Sequence, residues 1–199
     1  MHPEGGQIVG LLLAAGRGSR FDPTGRQSKL LQRLPDGRLV AVAAAQTLLA
    51  AVPRVVALVP DNALPTTLLL IEVLQQAGCD IVPCPTAQYG MGHTLAAGVA
   101  ATQNATGWLV MLADMPAVAA STAQAVAAAL QQGAVVAVPV YAGRRGHPVG
   151  FAAVCRDALM SLEGDRGAKA ITERYPVVTI AVDDARALLD IDHPSDLPE

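Results

Sequence analysis

The chain has 199 residues, of which 52% are hydrophobic and 16% charged, enough apolar material for one domain with a sizeable core and too much for a disordered segment. Its formal net charge is −3 and it has no basic run, which argues against a nucleic-acid partner. No stretch of 18 or more apolar residues is present to span a membrane; the nearest, Leu39 to Val59, is interrupted by Gln46, Pro53 and Arg54. Met1 to Gln7 lack a cationic leader region, so a cytoplasmic protein is expected, organised as a single domain over residues 1–199. Cys79, Cys84 and Cys155 form neither a paired framework nor a CxxC motif, and read as small buried side chains.

Ile8 to Ala14 reads as the first strand. A helix over Val40 to Ala51, a strand over Arg54 to Pro60 and a helix over Pro65 to Ala77, stopped by Gly78, follow. Asp80 to Pro83 is a short strand, His93 to Ala101 a helix and Trp108 to Leu112 a strand; Ser121 to Gln131 is a helix with Ser121 as its cap. Strands at Ala134 to Pro139 and Gly150 to Ala153, short helices at Asp157 to Leu162 and Ala168 to Tyr175, and a strand at Val177 to Val182 complete the series. Short Val/Leu/Ile runs alternating with alanine-rich helices specify a three-layer α/β/α sandwich around a mostly parallel, doubly wound sheet. Ligands of such folds bind beyond the carboxyl ends of the strands, which directs attention to the loops after Ala14, Pro83, Leu112 and Pro139.

The first of these loops is Ala14-Ala15-Gly16-Arg17-Gly18-Ser19-Arg20, where backbone N–H groups free of bulky side chains make an anion site, with Arg26 and Lys29 adding charge. A Walker A loop would need a Gly-Lys-Ser/Thr ending, and a dinucleotide loop a third glycine where Phe21 stands. Asp36, at a tolerable distance to hold a ribose, reads as a turn residue in Pro35-Asp36-Gly37. A glycine-rich turn with solvated arginines is the bland alternative. The longer string from Leu13 to Arg20, followed by Lys29-Leu30-Leu31, resembles the signature of the MobA/MocA-like nucleotidyltransferases that act on molybdenum cofactor. It departs from that signature at Phe21-Asp22-Pro23-Thr24-Gly25, where Arg-Met-Gly is usual, and at Ser28, where proline is common.

Further motifs follow in the order of that family. Gly90-Met91-Gly92-His93-Thr94-Leu95 resembles its Gly-Met-x-x-Ser-Leu segment, placing Gly90, Gly92 and Thr94 where a ribose or base would be met; a helix start capped by Thr94 explains the same residues. Asp114-Met115-Pro116 puts a carboxylate just past a strand end, suited to Mg²⁺, which takes one or two carboxylates with phosphate and water oxygens, or simply to a turn. It matches the family's Asp-Met-Pro. Arg144-Arg145-Gly146-His147-Pro148 resembles the family's Gly-His-Pro element, with Arg145 and His147 facing an anionic acceptor or merely holding the turn. Gly164-Asp165-Arg166-Gly167-Ala168-Lys169 is similar to Gly-Asp-x-Gly-Ala-Arg, with Lys169 for arginine. The ending Asp190-Ile191-Asp192-His193-Pro194-Ser195-Asp196 resembles Asp-Ile-Asp-Thr-Pro-x-Asp; Asp192 is a second metal candidate, or Asp190 and Asp192 form caps and turns.

The resemblance implies a nucleotide-diphospho-sugar transferase-like fold and transfer of a nucleoside monophosphate from an NTP to a small phosphorylated acceptor, releasing pyrophosphate. Ala14, Ala15, Gly16, Arg17, Gly18 and Ser19 would hold the triphosphate, Arg20 and Lys29 its β- and γ-phosphates, and Mg²⁺ would sit on Asp114 with Asp192. Molybdopterin is the implied acceptor, a molybdoenzyme the recipient, and Ala14-Ala15-Gly16 favours CTP over GTP. Transfer to a sugar or polyol phosphate is an alternative, as is a molybdenum-cofactor chaperone without turnover; an NAD-dependent oxidoreductase is a third class.

Overall fold

The computed structural model describes residues 6–16, 18–164 and 169–198. Strands β1 (Ile8–Leu13), β2 (Val55–Pro60), β3 (Asp80–Cys84) and β4 (Gly107–Leu112) lie parallel in the order β3-β2-β1-β4. Beyond β4 comes β7 (Val149–Ala152), antiparallel to it, and then β5 (Val136–Tyr141). One edge of β5 carries β7 and, further along, the two-residue β6 (Arg144–Arg145); the other pairs in parallel with β8 (Val177–Ala181). The sheet is therefore mixed but mostly parallel, as the sequence pattern requires.

Successive residues of each strand point to opposite faces, so one strand feeds two cores. Leu12, Ala57, Leu109 and Met111 pack with helices α1 (Val40–Leu49), α2 (Pro65–Gln76) and α4 (Ala120–Gln131). On the other face Leu11, Leu58, Trp108 and Val110 pack with α3 (Met91–Ala101) and α5 (Arg156–Met160). A sixth helix, α6 (Lys169–Arg174), leads to β8. The alanine and glycine content has a steric use here. A Cβ on Gly98 of α3 would come within 3.1 Å of Leu58 and 3.2 Å of Leu11, so α3 lies close enough to the sheet that a larger residue there would require those leucine side chains to shift.

Three local expectations are corrected. Helix α4 is capped by Ala119 and not by Ser121, because the backbone at its start is fixed from outside: Thr47 Oγ1 donates to the Val118 carbonyl at 3.0 Å. Helix α3 begins at Met91 with Gly90 as its cap, and Thr94 lies inside its first turns. Strand β5 runs on to Tyr141 and turns through Ala142 (φ 47°) and Gly143 (φ 77°) into β6, a hairpin the sequence reading lacked. The three cysteines are buried free thiols, and burial pushes Cys79 and Cys155 up to about 11. Among the described residues no helix is long and apolar enough to cross a membrane; Leu39 to Val59 holds α1 and β2.

Candidate active site

The site lies where β1, β2, β3 and β4 end. Ala14 leaves β1 still bonded to the sheet, its N–H donating to Leu58 O at 2.9 Å. Gly16 is exposed with nothing within 4 Å of a Cβ placed on it, an open backbone approach. Gly18 adopts φ 61°, and its carbonyl accepts from the amides of Phe21 (2.9 Å) and Asp22 (3.1 Å), closing the loop. Ser19 and Arg20 are exposed beside it, and Arg17 falls outside the described residues.

The segment that departs from the family signature is itself well organised. Phe21 is buried in the core at the position where a dinucleotide loop needs glycine. Asp22 accepts from Thr24 Oγ1 (2.7 Å), Gln27 N (2.7 Å) and Thr24 N (2.8 Å), which holds its carboxyl below the ordinary value of 3.8. Asp36 is a turn residue, bonded to its neighbour Arg38.

Lys29 opens a single 3-10 turn, Lys29–Leu31, whose Leu30 is buried. From that anchor its ammonium reaches Asp114 Oδ2 at 2.6 Å and Asp192 Oδ1 at 3.1 Å, with the lysine side chain 11% exposed. Burial pulls the Lys29 pKa down, but the hydrogen bonds and charges of Asp114 and Asp192 outweigh it and hold the group above 10.5. Arg20 pairs with the other oxygen of Asp192. Asp114 Oδ1 is buried and has no hydrogen-bond partner among the described residues.

Asp114 sits just past β4, and its carbonyl accepts from Ile191 N at 2.9 Å, tying the chain's ending to the β4 loop. Ile191 is buried, which fixes its neighbour Asp192 at the site. Asp196 accepts from the amides of His193 (2.7 Å) and Asp192 (2.9 Å), holding its own carboxyl below 3.8. The turn-forming role thus belongs to Asp196, and the Asp192 carboxylate engages the two cations. Asp190 is exposed.

Two adjoining cavities open on this cluster, of about 400 Å³ and 380 Å³, and they share Ala15, Gly16, Ala87 and Gln88. Lys29 lines the first with Gly18 and Asn62; Asp114 lines the second with Gly90 and Thr94. Thr94 is 5% exposed, its hydroxyl 3.5 Å from the Gly90 carbonyl. Gly92 has a different occupation: its N–H donates to Gly164 O at 2.8 Å, and a Cβ there would stand 2.9 Å from that oxygen.

His147 is largely enclosed. Burial lowers its pKa, with Asp114 and Asp190 pulling it partly back, so the imidazole is neutral near pH 7. Its amide donates to Ala187 O at 3.1 Å. Arg145 is exposed on β6 and donates to Thr172 Oγ1 of α6 at 3.1 Å, not to any member of the Lys29 cluster. Of the segment Gly164 to Lys169, residues 165–168 lie outside the described residues and Lys169 is exposed.

Gln88, Asn62 and the Asp22 bridge were not assigned roles by sequence reasoning. Only the position of Gln88, just before the Gly90-Met91-Gly92 string, gave a usable signal.

A mostly parallel sheet of this order, flanked by helices and with its glycine-rich first loop at the strand ends, is the nucleotide-diphospho-sugar transferase fold. The model of the MobA-like NTP transferase domain matches residues 10–179, and the chain belongs to that family. It is similar to the crystal structure of Rv0371c from Mycobacterium tuberculosis H37Rv, with 26% identity and a TM-score of 0.76 over 96% of each chain. A manganese complex of Rv0371c matches at 27% identity and TM-score 0.72, over 96% of this chain and 95% of that one. The molybdopterin-guanine dinucleotide biosynthesis protein A from Archaeoglobus fulgidus, at 16% identity, shares the fold with a TM-score of 0.69 over 96% and 95% of the two chains. Comparison with curated protein sequences gives no match.

Proposed function

We propose that the protein transfers CMP from CTP to the terminal phosphate of molybdopterin, releasing pyrophosphate, with Mg²⁺ as its metal and a molybdoenzyme as recipient of the product. The observation that carries this reading is Lys29 bridging Asp114 and Asp192 beside the glycine-rich loop. The alanine pair Ala14-Ala15 before Gly16 supports cytosine over guanine.

An acceptor phosphate oxygen attacks the α-phosphorus in line; the new O–P bond forms as the bond to the β-phosphate oxygen breaks and pyrophosphate leaves with its electron pair. No protein nucleophile is needed, and the acceptor oxygen, already anionic, needs no general base. The chain contributes alignment and charge. The open backbone at Gly16 and Gly18 cradles the triphosphate, and Lys29 and Arg20 offset the charge that builds on the leaving pyrophosphate. Gly90 and Thr94, which line the second cavity with Gly16, would bound the ribose; an acceptor-binding role for Arg145 and His147 rests on the family resemblance of the Gly146-His147-Pro148 element alone.

The residues fit a divalent cation. Asp114 Oδ1 is a buried carboxylate oxygen without a partner among the described residues, Asp192 brings a second carboxylate to the same ammonium, and two carboxylates with phosphate oxygens are a usual Mg²⁺ set. Asp114 and Asp192 would hold it, and it would supply charge neutralisation at the α-phosphate. The manganese complex of the mycobacterial relative supports a divalent ion in this family.

Pyrophosphate release from each of the four NTPs, with and without molybdopterin, tests the reading. Release confined to CTP plus acceptor, and abolished in Asp114→Ala, is expected. Tight molybdopterin binding without turnover would replace it with a carrier function, and release only with a sugar phosphate would replace the acceptor.

A further inference from the structure

Lys29 stands between two anionic environments. Its stem lines the cavity floored by the glycine-rich loop, while its ammonium lies on the carboxylates of Asp114 and Asp192, and Asp114 lines the neighbouring cavity. The carboxylates carry two negative charges, and Lys29 and Arg20 return two positive ones, so the cluster is balanced as it stands. A divalent cation added to that set meets the ammonium at the oxygens it needs, in a partly buried place where like charges repel strongly. A triphosphate in the loop changes the balance, because it offers the flexible lysine a second anion within reach of the same anchor.

We infer that Lys29 is the resident counter-ion of Asp114 and Asp192, and that a divalent metal binds them well only once the β- and γ-phosphates of a nucleotide have drawn its ammonium away. The inference rests on the nucleotidyl-transfer reading for the identity of the displacing anion. Lys29 then does more than neutralise a leaving group: it makes metal binding conditional on a full triphosphate, so that neither free metal nor a monophosphate assembles the site. Asp114 Oδ1, buried and without a partner among the described residues, is the oxygen left ready for the incoming ion. Arg20 has no comparable role, since its side chain is 70% exposed and its charge is screened by water.

The test is binding of Mn²⁺, followed by the paramagnetic resonance of the free ion, to wild type, Lys29→Met and Lys29→Arg. Each is titrated alone, with a non-hydrolysable CTP analogue and with CMP. Without nucleotide, Lys29→Met should bind Mn²⁺ about tenfold more tightly than wild type, and Lys29→Arg close to wild type. The analogue itself ligates Mn²⁺, so the deciding comparison is between proteins: its gain should be about tenfold larger in wild type than in Lys29→Met, with CMP giving neither protein that gain. Equal or weaker Mn²⁺ binding by a Lys29→Met protein that melts cooperatively overturns the inference. If that variant does not fold, wild type alone binding Mn²⁺ as tightly as it does with the analogue overturns it instead. Should Lys29→Met tighten Mn²⁺ binding as expected while no nucleoside triphosphate analogue binds, the counter-ion role stands and the transfer reading fails.

Discussion

Thr102 closes α3, and replacing it by valine tests how that helix is held to the strand that presents Asp114. Trp108 of β4 is fully buried, and its indole N–H donates to Thr102 Oγ1 at 2.8 Å; the threonine hydroxyl in turn donates to Gly98 O at 2.7 Å. Thr102 is 4% exposed, so water does not replace a lost partner. Thr102→Val keeps the shape and deletes the oxygen. The buried indole donor then has no acceptor, a loss of roughly 1–3 kcal/mol, and the Gly98 carbonyl loses about 1 kcal/mol more. Valine's extra apolar burial offsets a fraction of this, leaving an expected destabilisation of about 2–3 kcal/mol, or a melting point about 5–10 °C lower for a domain of this size. Thr102→Ser retains both bonds and removes one methyl group, and should cost only about 1 kcal/mol. Urea denaturation of the three proteins decides it. Valine within about 0.5 kcal/mol of wild type, or serine costing more than valine, would refute the claim that this hydrogen-bonded pair anchors the helix.

Gly146→Ala should lower stability by about 1–3 kcal/mol in the same assay, since its Cβ would stand 2.5 Å from the Ala187 carbonyl oxygen and neither backbone can yield alone. Asp22→Ala should raise the KM for the nucleotide severalfold with little change in melting temperature, because Asp22 bridges an exposed loop beside the cleft proposed to take the triphosphate and supports no core residue; an unchanged KM would separate that bridge from nucleotide binding. Asp22, Asp36, Asp184 and Asp196 all have folded pKa values depressed below 3.8. Their contribution is complete above the unfolded value and is lost as pH falls through the folded values, so stability should decline below about pH 4 and Asp196→Asn should flatten that decline. Urea midpoints between pH 2 and 6 check the sign, and a rise on acidification would contradict it.

The continuous apolar runs at β1, β2 and β4 made the layers and the ligand-binding edge readable, because a strand buried on both faces must be continuously apolar. The glycine-rich loop and Asp114 were visible for a related reason, each following directly on such a run. Ser121 misled because capping preference is local, whereas the start of α4 is set by the tertiary bond from Thr47 to Val118 O. The β5–β6 hairpin was hidden because Ala142-Gly143 lacks the Asn-Gly or Asp-Gly pair that usually marks two consecutive positive φ values. The convergence of Lys29 with Asp192 spans 163 positions of the chain, a distance over which no local pattern specifies a contact. Sequence order proposed Lys29, Asp114 and Asp192 separately; only the fold joins the two aspartates on the Lys29 ammonium.

Single-turnover transfer of radiolabel from α-³²P-CTP to molybdopterin, by wild type and Asp114→Asn in parallel, bears most directly on the central claim. The account predicts label on the acceptor with stoichiometric pyrophosphate for wild type, and a rate lower by about 10²–10³-fold for Asp114→Asn. Label transferred equally by both proteins would contradict it.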